Sequence, residues 1–192
     1  MAAPKDWTPY YDATGDDPRE TLVDALDRFE TPGLAVDLGS GTGRDTAELV
    51  RRGWRVIAVD ADPEAKARLE ARTDLDHTRV TMQSLRIEDT TWPAVDLVNS
   101  SFTLPFLAET DLRALFARIV GSLRAGGRFC GQLFGDRDSW AGDGVTCFTR
   151  AEVDELLSGL SIERLDEEEQ DSTDALGRPK HWHVFHVVAR KD

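Results

Sequence analysis

The chain has 192 residues, of which 23 are basic and 36 acidic, giving a formal net charge of −13 at pH 7. One domain is expected at this length, and a composition that is 40% hydrophobic and 31% charged is typical of a folded rather than a disordered protein. The negative charge argues against binding to nucleic acid or to an anionic membrane surface, because both would repel the chain. Cationic and neutral small molecules remain open as ligands.

The two cysteines, Cys130 and Cys147, are too few for a disulfide framework. Cys130 lies in an apolar run and is predicted as a small buried thiol. Residues 1–11 contain no apolar run typical of a signal peptide, and no stretch approaches the roughly 20 apolar residues of a membrane span. We therefore predict a cytoplasmic protein without membrane contact.

Short apolar runs typical of buried strands alternate along the chain with segments whose apolar side chains recur at helical spacing. The predicted elements are, in chain order, helix 21–29, strand 34–38, helix 44–52, strand 55–60, helix 63–72, strand 78–82, strand 94–100, helix 111–123, strand 128–134, helix 150–157, strand 161–167 and strand 181–190. The polar segments 136–146 and 167–180 are predicted as loops, and the acidic run 166–169 as a solvated strand end.

Local signals define several helix ends. Asp62 is predicted as an N-cap, because a proline follows it at the first helical position and an acid lies in the first turn. Thr149 and Glu152 have the spacing of a capping box. The segment 111–123 has the clearest amphipathic pattern of the chain, and the glycine pair at 126–127 ends it.

The alternation of strands and helices predicts an α/β fold, Rossmann-like and doubly wound, with a mostly parallel seven-stranded sheet. The last two strands have no helix between them, which predicts a C-terminal antiparallel hairpin. The final strand is apolar on both faces and is therefore predicted to lie inside the sheet. No linker interrupts the pattern, so residues 1–192 are predicted to form a single domain, with 1–17 as an N-terminal lid-like segment.

The segment Val-Asp-Leu-Gly-Ser-Gly-Thr-Gly-Arg-Asp, residues 36–45, is a glycine-rich turn between a predicted strand and a predicted helix. This context is typical of a nucleotide site. Glycine permits positive φ and removes side-chain bulk, so that a ligand can lie on bare backbone at the N-terminus of the helix.

Two classes of nucleotide compete for this loop. The dinucleotide fingerprint needs a small residue at position 44, where the chain has Arg44. Asp37, two residues before the first glycine, suits a ligand that carries an ammonium and a sulfonium rather than a pyrophosphate. The alternative for Asp37 is a strand-end acid that accepts hydrogen bonds from loop amides. We favour S-adenosylmethionine over a nicotinamide dinucleotide.

Asp60 ends the second predicted strand, where its carboxylate is placed for hydrogen bonds from the two hydroxyls of a ribose. The alternative is a helix cap, but Asp62 already fills that role. The binding role is therefore favoured for Asp60.

Four segments, in this order and spacing, resemble the motifs of the class I S-adenosylmethionine-dependent methyltransferases. They are residues 36–43 for the first motif, 59–60 for the second-strand acid, 96–101 for the fourth-strand motif and 123–129 for the turn before strand five. The terminal hairpin also fits, because this family inserts an antiparallel seventh strand between strands five and six. Within the family the chain is similar to the small tellurite-resistance (TehB-like) branch, on Gly-x-Gly-Arg in the loop, Trp7 and the Tyr10-Tyr11 pair.

The resemblance implies S-adenosyl-L-methionine as the cofactor. The residues that it implies for binding are Asp37, Gly39, Ser40, Gly41, Arg44, Asp60, Ala61, Ser84, Leu85, Asn99 and Ser100. The glycines would present backbone to the methionine part of the cofactor, with Asp37 near its ammonium. Arg44 would pair with its carboxylate, and the alternative is an arginine that faces solvent.

The other implied roles concern the adenosine and the methyl group. Ala61 would lie at the side of the adenine, and Ser84 and Leu85 would flank the ring. Asn99 and Ser100 would lie below the axis of methyl transfer. No added substrate domain identifies the acceptor.

Further candidates belong to the acceptor side. They are Tyr10, Tyr11, Arg19, Phe102, Asp136, His181 and His183, and the catalytic candidates are Tyr10, Tyr11, Asn99 and His181. The two tyrosines form either a lid or simple N-terminal packing, and Arg19 is either an anion clamp or a surface residue. The two histidines are either a metal pair or hydrogen-bonded strand residues, which we favour because no further ligands complete a site.

The sequence therefore predicts a methyltransferase acting on a small molecule or a metalloid by in-line displacement, as a monomer or a homodimer. An oxyanion or a soft chalcogen would need no general base. The alternatives are a cofactor-binding module that regulates a partner without catalysis, and a nicotinamide-dependent oxidoreductase, which Arg44 disfavours.

Overall fold

One mostly parallel sheet organises the protein, whose structure is a computed structural model that describes residues 6–192. Its strands are β1 (Leu34–Leu38), β2 (Arg55–Val59), β3 (Val80–Gln83), β4 (Val95–Ser100), β5 (Leu123–Gly135), β6 (Cys147–Phe148), β7 (Ser161–Thr173) and β8 (Pro179–Arg190). The order across the sheet is β3-β2-β1-β4-β5-β8-β7, and the two-residue β6 pairs with the end of β5. Within the described residues, β8 alone runs in the opposite direction to the other strands, so the predicted fold class and the interior position of the last strand are confirmed.

Helices cover both faces of the sheet. They are α1 (Thr8–Ala13), α2 (Glu20–Asp27), α3 (Arg44–Arg51), α4 (Pro63–Ala71), α5 (Glu109–Ser122) and α6 (Arg150–Leu156). Successive side chains of a strand point to opposite faces, so Val36 of β1 packs in one core layer with Phe116, and Ala35 packs in the other with Leu49. Two apolar layers on one sheet are what the doubly wound pattern requires.

Several local predictions are confirmed. The Asp62 side chain accepts a hydrogen bond from the backbone N of Glu64, as an N-cap does. Thr149 and Glu152 form a reciprocal capping box at the start of α6. Cys130 is a fully buried thiol.

The C-terminal hairpin is longer than predicted, so the loop prediction for 167–180 is wrong over most of that segment. Strand β7 continues to Thr173 and β8 begins at Pro179. The hydrophobic pattern ends before the strand does, because ion pairs rather than core contacts hold the extension. Glu168 contacts His186 across the hairpin at 2.9 Å, and Arg137 binds Glu169 at 2.7 Å.

Two further boundaries differ from the sequence pattern. Strand β5 begins at Leu123, ahead of the glycine pair, with an irregular register against β4. The N-terminal segment contains a helix, α1, that the sequence pattern did not predict. Of the predicted lid-like segment 1–17, residues 1–5 lie outside the described part of the chain. Within residues 6–192, no helix has the length and apolar character needed to cross a membrane.

Candidate functional site

The glycine loop connects the end of β1 to the start of α3. Gly39, Gly41 and Gly43 have φ values of 72°, 53° and 81°, a left-handed conformation that L side chains rarely adopt. A Cβ on Gly39 would clash with the side chain of Thr103, whereas one on Gly41 would meet only the ring of Tyr11, at 3.5 Å. Among the described residues, only the ring of Tyr11 therefore covers the backbone of the loop at Gly41.

Asp60 holds this loop to the next strand end. Its Oδ2 accepts a hydrogen bond from the backbone N of Gly41 at 2.9 Å, and its Oδ1 accepts one from Asp62 N, also at 2.9 Å. Burial raises the pKa of this carboxyl above its ordinary value. Asp60 thus lies at the loop, as predicted for a residue that binds ribose, and Asp62 fills the capping role.

A buried network of two carboxylates lies behind the loop. Asp37 Oδ2 accepts from the Thr46 hydroxyl at 2.6 Å, and its Oδ1 accepts from the Asn99 amide at 2.8 Å. The same Asn99 nitrogen lies 3.2 Å from Asp45 Oδ2, which also accepts from the Ser101 hydroxyl at 2.6 Å. The partners of Asp37 are these side chains rather than the loop amides that the strand-end alternative named.

Burial and the neighbouring charge of Asp45 raise the pKa of Asp37 to about 7. Asn99 joins the two acids, and this contact occupies the side chain that was placed below the transfer axis. The sequence analysis missed Asp45, although an acid in the first turn of the helix after a glycine loop was the available signal. Ser40 and Ser100 each have a buried hydroxyl oxygen without a hydrogen-bond partner in the described structure.

Two arginines lie beside these acids. Arg44 has only 16% of its side chain exposed and its Nε is 3.4 Å from Asp45 Oδ1, so the solvent-facing alternative is wrong. Arg19 donates its backbone N–H to the same Oδ1 at 3.0 Å, and its guanidinium lies 4.7 Å from the ring centroid of Phe102. Burial, followed by the nearby charge of Arg44, lowers the pKa of Arg19 to about 10.

The residues predicted around adenine follow neighbouring strands at the same sheet edge. Leu38 pairs with Val59 and Val59 with Gln83, so the residues that follow these strands emerge side by side. Ala61, Ser84 and Leu85 are exposed there, and Leu85 shows 47% of its surface. An exposed leucine beside Asp60, the acid predicted to bind ribose, is suited to cover one face of a base.

An aromatic cluster occupies the other half of this edge, beyond the ends of β4 and β5. We call it the ring cluster, and its members are Phe102, Phe106, Phe134, Trp140 and Trp182. The Lys180 ammonium lies 3.8 Å from the centroid of Trp140 and 4.4 Å from that of Trp182. Lys180 also forms an ion pair with Asp138, and the two side chains are 1% and 0% exposed. Sequence reasoning singled out only Phe102 of this group.

Helix α1 bridges the two halves. The Tyr11 hydroxyl donates to Asp62 Oδ2 at 3.1 Å, and burial together with Asp60 and Asp62 raises the pKa of Tyr11. Tyr10 bonds to Arg178 in the turn of the C-terminal hairpin, and Trp7 packs edge-on against Phe106 at 4.8 Å. Tyr11 therefore covers the glycine loop, which is the position that the lid prediction requires.

The histidines belong to the hairpin rather than to the loop. His181 contacts Asp171 at 2.7 Å and Glu169 at 3.2 Å, and these acids raise its pKa. His183 is fully buried, accepts from the backbone N of Arg137 at 3.1 Å and contacts Glu167 at 3.0 Å.

Asp136, the remaining predicted acceptor-side residue, lies 3.5 Å from the Nδ1 of His183. It is exposed at the start of the loop that follows β5. No group of three or more potential metal ligands occurs within residues 6–192.

Comparison with protein families agrees with this geometry. Residues 35–127 match the model of a methyltransferase domain, a range that contains the glycine loop, Asp60 and Asn99. This region, a little under half of the chain, is therefore similar to a methyltransferase domain. The predicted family is thereby confirmed.

Curated relatives are similar over about half of the chain. A carboxy-S-adenosyl-L-methionine synthase of Shewanella amazonensis is 35% identical over 114 residues, covering 56% of this chain and 47% of the relative. Phosphoethanolamine N-methyltransferase 1 of Triticum aestivum is 35% identical over 99 residues, covering 48% and 19%. The chain therefore spans less than half the length of these two relatives.

Solved structures share the fold over nearly the whole chain. TehB from Haemophilus influenzae matches with a TM-score of 0.78 at 19% identity, covering 91% of this chain and 62% of that protein. The N-methyltransferase NodS from Bradyrhizobium japonicum, in complex with S-adenosyl-L-homocysteine, matches with a TM-score of 0.70 at 18% identity and covers 96% of each chain. At these identities the comparison shows a shared fold. TehB, after which the predicted branch is named, is among the proteins that share it.

Proposed function

We propose that this chain is an S-adenosyl-L-methionine-dependent methyltransferase that transfers a methyl group to a small-molecule or metalloid acceptor by in-line displacement. The observation that carries the proposal is the glycine loop, whose three left-handed glycines lie between Asp60 and the buried pair of Asp37 and Asp45. A loop of bare backbone surrounded by carboxylates attracts a ligand that is positively charged at one end and offers hydroxyls at the other.

The residues fit this cofactor. In the described structure Gly41 has only the Tyr11 ring over its backbone, and Asp60 lies at the loop, where its carboxylate could accept hydrogen bonds from ribose hydroxyls. Leu85 and Ala61 are exposed where the base would lie. Asp37 and Asp45 are shielded from water, so the charge of Asp37 in its ionised form would act strongly on a nearby ammonium.

When bound, S-adenosyl-L-methionine supplies an activated methyl group on a sulfonium. The chain's own contribution is then alignment and exclusion of water, for which up to ~7–11 kcal/mol is available in well-oriented reactions. Tyr11 covers the loop from the solvent side, and its hydroxyl is engaged with Asp62. The catalytic candidate His181 and its neighbour on the strand, His183, are both engaged with hairpin acids. This supports an acceptor that needs no general base.

Calorimetric titration with S-adenosyl-L-methionine, S-adenosyl-L-homocysteine and NAD tests the cofactor. We expect micromolar binding of the two adenosyl-sulfur ligands and none of NAD. Asp60→Ala should weaken the binding by about 10–100-fold, because hydrogen bonds to a charged group contribute about 1.5–3 kcal/mol.

Glu30→Ala is the matched control, since Glu30 is exposed and lies outside the site. Unchanged affinity in Asp60→Ala would overturn the assignment of the site. Tight binding without turnover of any acceptor would favour the regulatory binding module. The predicted cytoplasmic location and the monomeric or homodimeric state stay predictions.

A further inference from the structure

Arg19 is a desolvated cation without an anionic partner. Among the described residues, every other arginine that is not exposed forms an ion pair with a carboxylate; these are Arg44, Arg52, Arg68, Arg72, Arg113, Arg128, Arg164 and Arg190. Arg19 forms none, and its buried Nε has no hydrogen-bond partner. Leaving this buried N–H donor without an acceptor is unfavourable. An anionic ligand at this place would remove that cost.

The ring beneath Arg19 is held in an unfavourable backbone conformation. Phe102 has a φ of 52°, and it is the only non-glycine residue with positive φ within residues 6–192. A left-handed conformation is rare for a bulky side chain and is often found at ligand sites. It places the Phe102 ring 4.7 Å from the guanidinium and also within 6.1 Å of Trp182. Phe102 thus joins the unpaired cation to the ring cluster.

The position of this pair is next to the glycine loop. Thr103, which follows Phe102, packs directly against Gly39, and Ser101 donates to Asp45. A molecule that rests on Phe102 under Arg19 would therefore lie beside the loop that we propose for the cofactor.

The ring cluster is fixed from behind. Asp138 accepts from the backbone N of Trp140 at 2.9 Å and from that of His183 at 3.2 Å, and it pairs with Lys180. Since this ion pair is complete, Lys180 is not the free cation of the region. Phe102, Phe106, Trp140 and Trp182 remain partly exposed and offer flat apolar surface.

We propose that Arg19 and the ring cluster form the acceptor site of this methyltransferase and that the acceptor is a flat aromatic anion. The inference rests on the proposed function and names the substrate class for the same site. The anion's lone pair forms the bond to the methyl carbon while the carbon–sulfur bond of the sulfonium breaks, and that bond's electrons remain on a neutral thioether sulfur. No proton has to leave the acceptor, which agrees with the absence of an uncommitted base among the candidates described above.

Calorimetry in the presence of S-adenosyl-L-homocysteine separates the two features of the acceptor. Naphthoate is flat and anionic, naphthamide is flat and neutral, and cyclohexanecarboxylate is anionic but not flat. We expect naphthoate to bind at least tenfold more tightly than either of the others. Arg19→Gln should reduce naphthoate binding at least tenfold, and Arg55→Gln should leave it unchanged, because Arg55 is exposed and pairs with no carboxylate.

The same variants separate this inference from the proposed function. With benzenethiolate as acceptor, Arg19→Gln should raise KM more than it lowers kcat, and its affinity for S-adenosyl-L-methionine should stay within about twofold. A loss of cofactor affinity with unchanged naphthoate binding would overturn the inference and make Arg19 a cofactor residue. Equal binding of naphthoate and naphthamide would also overturn it. Failure of the unaltered chain to bind S-adenosyl-L-homocysteine would overturn the proposed function and, with it, this inference.

Discussion

The two halves of the sheet edge differ in charge and in the way they are built. At the ends of β1 and β2, backbone conformation and carboxylates dominate, with Asp37, Asp45 and Asp60 around the glycine loop. At the ends of β4 and β5, side chains dominate, with five aromatic rings and the unpaired cation of Arg19. One half suits a positively charged donor and the other a negatively charged acceptor.

This difference explains how an acidic protein offers a site to an anion. The net charge of −13 repels anions from the outer surface. In salt solution, however, the electrostatic potential of these surface charges decays with a screening length of about 8–10 Å. Inside the edge, the local partners decide. Arg44 lies beside Asp45, and Arg19 lies between Asp45 and the ring of Phe102, so the sign of the local charge changes over a short distance.

The largest effect on stability is expected from removing the buried ion pair of Lys180 and Asp138 behind the ring cluster. Lys180→Met leaves the buried Asp138 without its ion-pair partner. We expect this to lower the free energy of unfolding by about 4 kcal/mol. Urea denaturation should show this loss. Lys66→Met is the matched control, because its 3.7 Å pair with Glu70 is exposed and should contribute less than about 0.5 kcal/mol.

The double variant Lys180→Met with Asp138→Leu separates charge from packing. Replacing both partners by apolar side chains removes the unpaired charge, so most of the lost stability should return. If Lys180→Met cost no more than Lys66→Met, the ion pair would not be what fixes the ring cluster.

The next largest effect is expected at Asp37, beside the glycine loop, as a dependence of stability and of cofactor affinity on pH. The pKa of Asp37 is raised to about 7, so the folded protein retains a proton that the unfolded chain releases near pH 4. The stability that this group contributes is therefore present below about pH 4 and is lost as the pH rises towards 7. Cofactor affinity should change in the opposite direction, because an ammonium favours the ionised carboxylate. Below pH 7 we expect the affinity to fall by up to about tenfold per pH unit.

Calorimetry from pH 5.5 to 8 measures this dependence. Asp37→Asn should bind the cofactor more weakly at pH 8 and with a flatter pH profile, since it cannot ionise. An unaltered slope in Asp37→Asn would assign the titration to another group, such as Asp60, whose pKa burial also raises.

The comparison also separates what the sequence predicts from what it does not. The loop at 36–45, the Asp62 cap and the capping box at Thr149 are predictable, because each is a signal within ten residues that acts through backbone geometry. The Lys180–Asp138 pair spans 42 positions and has no local pattern. Arg19 was singled out only as a candidate, since its lack of a partner is visible only after the fold has placed the acids.

The hairpin shows the same limit for secondary structure. The polar, acid-rich segment 167–173 has a loop-like composition. It forms a strand because basic side chains from distant positions neutralise its carboxylates. Arg137, for example, binds both Glu167 and Glu169. Local propensity is overridden by these cross-strand contacts, as is common in sheets.

The smallest expected effect is at the bridge between the halves. Tyr11→Phe keeps the ring over Gly41 but removes the hydrogen bond to Asp62, worth about 0.5–1.5 kcal/mol. If α1 acts as a lid, this variant should release the bound cofactor about 2–10-fold faster, because the closed position is less stable. Stopped-flow displacement of S-adenosyl-L-homocysteine measures that rate, with Tyr10→Phe as the control on the acceptor side. An equal change in both variants would mean that α1 opens as one unit. Unchanged release in both would mean that the segment only packs against the domain.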